Sequence, residues 1–191
     1  AHRFVPTLDQ GRPDMIATIS EDMHPAISAA FNLDSANIAN LPMEVISTGL
    51  KYLVVPVDGG LPDARITIPD LGEKLAAMGA EFAYLVDFKT FEGRHWNNDG
   101  IVEDVATGSA AGVIGAYALK HGLVEPGQTF TLNQGHYMAR PSRLLVTPFG
   151  EPVDVSHVTV AGEVAFVGTG EVVAPSYRFL VQATSLLIWL S

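Results

Sequence analysis

The stretch that most constrains this chain is Gly100 to Leu123, GIVEDVATGSAAGVIGAYALKHGL. After a turn of small residues (Thr107, Gly108, Ser109), nothing polar interrupts the run until Lys120. A helix that is apolar on every side cannot lie on a surface and has to be enclosed by the rest of the chain. Roughly 15 residues at about 1.5 Å each make a rod of about 22 Å, the width of a domain. Gly122 supplies a stop, with Lys120 and His121 set against the negative end of the helix dipole. The start follows two acids, Glu103 and Asp104. First-turn amides lack helical partners and carry partial positive charge, which suits a carboxylate or a phosphate. Two readings of this start stand side by side. It is an anion site, or it is a core helix capped by Thr107 or Ser109 with Asp104 as a turn residue.

The remaining pattern supplies the wrapping. Strands are expected at His2–Pro6, closed by the proline, twice within Met43–Val57 with a break at Gly49, at Glu81–Phe88 and at Gly93–Trp96. After the central helix, strands are expected at 128–133, 142–148, 155–160 and 163–169, separated by Gly and Pro. A short helix follows His24, with Pro25 in its first turn and Ile27, Ala30 and Phe31 inward. Asn32 to Asn40 reads as loop and Ile66–Ile68 as a short extended piece. A second helix starts at Asp70, with Glu73 in a capping arrangement and Leu71, Leu75 and Met78 on one face. Many short strands around one buried helix predict an α+β fold: a rolled sheet or barrel with the helix inside, rather than alternating βαβ layers.

With 191 residues the prior is one domain or two small ones. A net charge of −10 with no basic cluster argues against nucleic acid as a partner, so any anion would need local donors rather than a general positive field. The absence of cysteine excludes disulfides, thiolate metal sites and cysteine catalysis, and fits a reducing, cytoplasmic setting. No stretch reaches the roughly 20 apolar residues that span a bilayer, so no membrane partner is expected. The six histidines form no helical pair flanking a carboxylate, so no metal is expected. The chain opens Ala1-His2-Arg3, without Met or a signal-type apolar run, which suggests a processed or truncated start. Its end, Tyr177 to Leu190, is apolar enough to form a large sticky patch unless covered.

Two segments carry a resemblance. Glu103-Asp104-Val105-Ala106-Thr107-Gly108-Ser109-Ala110 resembles the E-D-x-x-T-G-S-A signature of the PhzF-like phenazine-biosynthesis family. Gln134-Gly135-His136-Tyr137-Met138-Ala139-Arg140-Pro141-Ser142 is similar to its Q-G-x-x-M-x-R-P-S segment. Arg94 and Ser47-Thr48-Gly49 match flanking family positions. The resemblance implies the diaminopimelate-epimerase fold: two similar lobes, each a rolled sheet around a central helix, with the site in the cleft between them. It places residues 1–40 at the end of a first domain and in a connecting segment, 41–170 in the second domain with a central helix at about 107–121, and 171–191 in an apolar tail. That tail would return to a first domain or form a contact between copies of the chain, which makes a homodimer the expected assembly.

The same resemblance implies a biosynthetic isomerase, working without a cofactor by moving a proton on a small carboxylate-bearing molecule. Asp104 would orient substrate or take part in proton transfer, and Ser109 would offer a hydroxyl. Thr107 and Gly108 would bind substrate through backbone amides at the helix start, and Gly135 would line the cleft. Glu103, adjacent on an extended segment, should point away from Asp104 and be solvent-facing or salt-bridged. Trp96-Asn97-Asn98 stands where relatives often carry Phe-Ala-Pro, so substrate preference should differ. The family's amino-terminal catalytic glutamate has no match in this chain. An incomplete, anion-binding module, or an oligomer whose partner completes the site, is therefore the alternative.

Overall fold

The computed structural model describes residues 4–165. The strands are β1 (Thr7–Asp9), β2 (Asp14–Thr18), β3 (Glu44–Ser47), β4 (Lys51–Pro56), β5 (Phe82–Asp87), β6 (Glu92–Arg94), β7 (Phe130–Gln134), β8 (Ser142–Glu151) and β9 (Asp154–Ala161). The helices are α1 (His24–Ala30), α2 (Leu71–Ala77) and α3 (Gly108–Lys120). The nine strands among the described residues form one sheet in the order β1-β9-β8-β7-β6-β5-β4-β3-β2.

That order forces the sheet to curl. Laid flat, nine strands spaced about 4.8 Å apart would separate the two edges by about 38 Å. The edges are β1 and β2, and only Gln10 to Pro13 join them. Five Cα steps of about 3.8 Å reach at most about 19 Å. The sheet therefore rolls until its edges approach, and α3 fills the roll. Residues 110–119 of α3 are all buried. Close approach to the wall depends on α3's small residues: a Cβ on Gly115 would come within 2.7 Å of both Val146 and Val158.

Two strand pairs are parallel, β4–β5 and β6–β7. Parallel neighbours need a crossover, and helices supply both. The first carries α2 over the outer face; the second carries α3 through the interior. Alternation along the strands divides the apolar residues accordingly. Ile46, Tyr52, Val54, Tyr84 and Val86 face α3, whereas Val45, Leu53, Val55 and Leu85 pack with α1 and α2.

The far end of α3 is closed by charge. Glu44, 3% exposed, takes Lys120 Nζ at 2.7 Å and His121 Nε2 at 3.0 Å, and Thr18 Oγ1 donates to it at 3.2 Å. Burial alone would raise the Glu44 carboxyl; the bonds from Lys120 and His121 outweigh it and hold the group below its ordinary value.

Several elements differ from expectation. Residues 7–9 and 14–18, which fall in the stretch given above to the end of a first domain and a connecting segment, form the two edges of this same sheet. The first described strand follows Pro6; of the strand expected before it, Phe4 makes a single bridge to Val164, and residues 1–3 lie outside the described residues. Ile66–Ile68 pairs with no strand, and Thr67 instead bonds the carbonyls of Ala29 and Ala30. His24 lies inside α1, and Asp70 makes no cap bond because its carboxylate pairs with Lys74 one turn on. Residues 166–169 of the last expected strand, residue 170 and the 171–191 tail lie outside the described residues.

Candidate active site

Asp104 lies on the segment that leads from β6 into α3. Its N–H donates to the His95 carbonyl at 2.9 Å, next to a bridge between Trp96 and Glu103, so the segment hangs on the extension of β6. Glu103 points the other way and grips Arg94 with two bonds of 2.8 and 2.7 Å. Arg94 also donates to the Leu61 and Ala64 carbonyls and lies between the rings of Trp96 and Tyr137, 4.5 and 4.8 Å from their centroids. One guanidinium, 7% exposed, thus ties four segments together behind Asp104.

The carboxylate of Asp104 accepts from the Thr107 hydroxyl at 2.8 Å on Oδ2 and, at a long 3.4 Å, from the Ala106 N–H on Oδ1. Thr107 stands at the cap position of α3 but makes no side-chain cap bond, because its hydroxyl is turned back to Asp104. Its N–H donates to Gln134 Oε1 at 3.1 Å, so this amide is not available to a ligand. The free donors lie one residue further on. Among the described residues, the amides of Gly108, Ser109 and Ala110 have no hydrogen-bond partner. Gly108 faces open space: a Cβ there would meet nothing within 4 Å.

Ser109 bonds the Tyr52 hydroxyl at 2.9 Å through its own hydroxyl, and its carbonyl accepts from Thr48 at 3.2 Å. These contacts join the helix start to the β3–β4 hairpin. Tyr52 remains a neutral phenol, raised above its ordinary value by burial and by the Asp104 charge against the lowering effect of Ser109. His95, 5% exposed, is held below its ordinary value by burial, and its Nδ1 bonds the Ala83 carbonyl at 2.9 Å. Gly135 is buried behind the site. Its φ of +79° and the Arg140 carbonyl, 2.3 Å from where a Cβ would sit, demand glycine for the turn.

The sequence singled out Asp104, Thr107, Gly108 and Ser109, and the structure brings all four to one end of α3. It missed Gln134, read only as part of a motif. This side chain is fully buried and makes four hydrogen bonds to Asp104, Thr107 and Tyr84. The available signal was an amide at the inward position that continues the alternation of Phe130 and Leu132, since a buried amide needs partners. Among the described residues no cluster of His, Asp and Glu is arranged to hold a metal, and no helix is long and apolar enough to cross a membrane.

A curled mixed sheet around a buried helix, opening at a carboxylate and unpaired amides, defines an α+β protein of the epimerase-like class. A family model described as phenazine biosynthesis-like protein matches residues 8–170, and the chain belongs to that family. It is 32% identical to trans-2,3-dihydro-3-hydroxyanthranilate isomerase of Pseudomonas aeruginosa, with 68% of this chain and 52% of that protein covered. It is 30% identical to an uncharacterized isomerase of Salmonella typhimurium, covering 82% and 57%. A solved structure of a predicted epimerase from Pseudomonas aeruginosa aligns with a TM-score of 0.79 at 40% identity, over 90% of this chain and 59% of that one. A Bacillus anthracis phenazine biosynthesis protein of the PhzF family shares the fold, with a TM-score of 0.69 at 19% identity, 85% of this chain and 61% of that one covered. The chain spans about half the length of the curated relatives it matches.

Proposed function

We propose that this chain supplies one wall of the active site of a cofactor-independent isomerase that moves a proton on a small carboxylate. The observation that carries this reading is the set of amides of Gly108, Ser109 and Ala110, without a hydrogen-bond partner among the described residues, at a helix start where Gly108 borders open space beside Asp104. Preorganised donors at a helix start stabilise negative charge as it builds on a carboxylate or enolate when a C–H proton leaves. Asp104 is the proton carrier, and Ser109, braced by Tyr52, contacts the substrate. Gly135 acts from behind by shaping the turn. The relatives' name suggests the substrate class: a cyclic, unsaturated hydroxy acid, to which an enolate-stabilising site is suited.

The opposite wall comes from a second protein surface, either another part of the polypeptide or a second copy of the chain in a homodimer. Leu50 and Ile101, 43% and 80% exposed on the loops flanking the site, fit such a contact. The chain would act in the cytoplasm.

Incubating the protein with dihydro-hydroxyanthranilate-type acids in D2O tests the reading. Deuterium should enter the substrate with wild type and not with Asp104→Asn. Amide shifts at Gly108–Ala110 on adding small carboxylates, without deuterium uptake, would instead identify an anion-binding module whose site a partner completes. Native mass measurement distinguishes monomer from dimer. No amide shift with any carboxylate would sink both readings.

A further inference from the structure

One buried imidazole stands beside Asp104 with a nitrogen that nothing satisfies. Trp96 and Glu103 face each other across their bridge, and the Asp104 N–H donates to the His95 carbonyl, so His95 and Asp104 stand opposite one another on the other face of the sheet. The His95 ring stacks on Tyr84, with centroids 6.3 Å apart, and meets Tyr52 and Phe82 edge-on at 5.6 and 5.5 Å. Tyr52 and Tyr84 belong to the layer around α3 and Phe82 packs against it, which puts His95 on the inner face. The Ala83 carbonyl, 2.9 Å from Nδ1, can only accept, so Nδ1 carries the hydrogen. Burial holds the ring below its ordinary value and keeps it neutral, against the Ala83 bond and the Asp104 charge. A neutral imidazole has a single N–H, which leaves Nε2 as a bare lone pair. Among the described residues Nε2 has no hydrogen-bond partner. It is not sealed in either, because the buried side-chain polar atoms without a partner belong to His24, Glu92 and Asn98. His95 is 5% exposed, and that narrow opening therefore includes Nε2.

We propose that His95 is a specificity-determining residue, whose Nε2 accepts a hydrogen bond from an O–H or N–H substituent of the carboxylate held at the Gly108, Ser109 and Ala110 amides. The inference rests on the reading above for that carboxylate and adds what the site demands of the rest of the molecule. The two sides of the site make opposite demands. The amides donate, so they select an acid. Nε2 and the neighbouring Asp104 carboxylate accept, so they select a donor and disfavour a second anion. Three ring contacts and the Ala83 bond hold the imidazole in place, so its lone pair is aimed before any ligand arrives. An acid without a donor would cover Nε2 and leave it unpaired, and that penalty is what lets a polar site discriminate. His95 takes no proton in this role, so the role does not depend on which group carries out the proton transfer.

The probes are cyclohexanecarboxylate and the same acid bearing a hydroxyl or a methoxy group on the carbon next to the carboxylate. In a long-range proton–nitrogen correlation spectrum of the free protein at neutral pH, Nδ1 of His95 should be protonated and Nε2 bare. The opposite tautomer, or a doubly protonated ring, would overturn the proposal. The hydroxy acid should move the Nε2 resonance; the methoxy acid, which has no hydrogen to donate, should not. In titrations followed at the Gly108–Ala110 amides, the hydroxy acid should bind about threefold to tenfold more tightly than the methoxy acid, the range of one net hydrogen bond. His95→Phe should erase that preference and leave the affinity for the unsubstituted acid unchanged. Equal affinities in the wild type, an Nε2 resonance that ignores the hydroxy acid, or a preference that survives in His95→Phe would end the proposal while leaving the carboxylate site standing. Amides that respond to none of the acids would sink the carboxylate site itself, and this inference with it. The tautomer and the Nε2 shift are read on the wild-type protein, so a His95→Phe variant that failed to fold would leave the proposal open to refutation.

Discussion

The two ends of α3 meet opposite fates. At the far end, Glu44 is closed in by Lys120, His121 and Thr18, and the Tyr117 hydroxyl donates to the Pro42 carbonyl at 2.7 Å. At the near end, three amides stay unpaired beside a carboxylate, and Gly108 looks onto empty space. A buried polar group left without a partner costs about 1–3 kcal/mol, so a structural helix end is normally closed. One end obeys that rule and the other does not. The contrast separates what keeps the helix in place from what the helix is positioned to do.

The comparison can be broken from either side. The largest effect is expected from Asp104→Asn: deuterium exchange should fall by about 10²–10⁴-fold, the usual contribution of a general acid or base, while the urea midpoint barely moves. A folded variant with undiminished exchange would remove Asp104 from the chemistry. Next is Arg94→Ala, which leaves the carboxylate of Glu103, only 11% exposed, without its cation and should cost about 3–5 kcal/mol of stability by urea unfolding. A loss below about 1 kcal/mol would show the near end is held by something else. Gly108→Ala should leave stability unchanged or raise it by about 0.4–1 kcal/mol, since the new methyl has room. The same methyl should weaken binding of small carboxylates in an NMR titration; unchanged affinity would place the anion elsewhere.

The smallest effect belongs to the far end. Glu44's carboxyl is lowered on folding, so the unfolded chain binds the extra proton and stability rises with pH. Its contribution is present above the ordinary carboxyl value of 4.5 and is lost as pH falls through the lower, folded value. Glu44→Gln should flatten this part of the acid-unfolding curve without altering carboxylate binding. A changed affinity would mean that the two ends are coupled along α3.

The sequence by itself determined the buried helix nearly to the residue, because an unbroken apolar run has only one place to go, and a glycine marks its end. It also determined most strands and, through two short motifs, the residues around the helix start. The register of the roll was decided by tertiary structure. Residues 7–18 look like a leader to the rest, yet pairings with Thr159–Ala161 and Glu44–Ser47 make them the two sheet edges. Sequence pattern shows which strands alternate but not which distant partner each will find. The role of Gln134 was decided in the same way. Alone it is a polar residue ending a strand; only folding brings it, across 27 to 50 residues of chain, to the one orientation that satisfies Asp104, Thr107 and Tyr84 together. Local chemistry sets what each group can donate or accept, and three-dimensional packing decides which partner receives it.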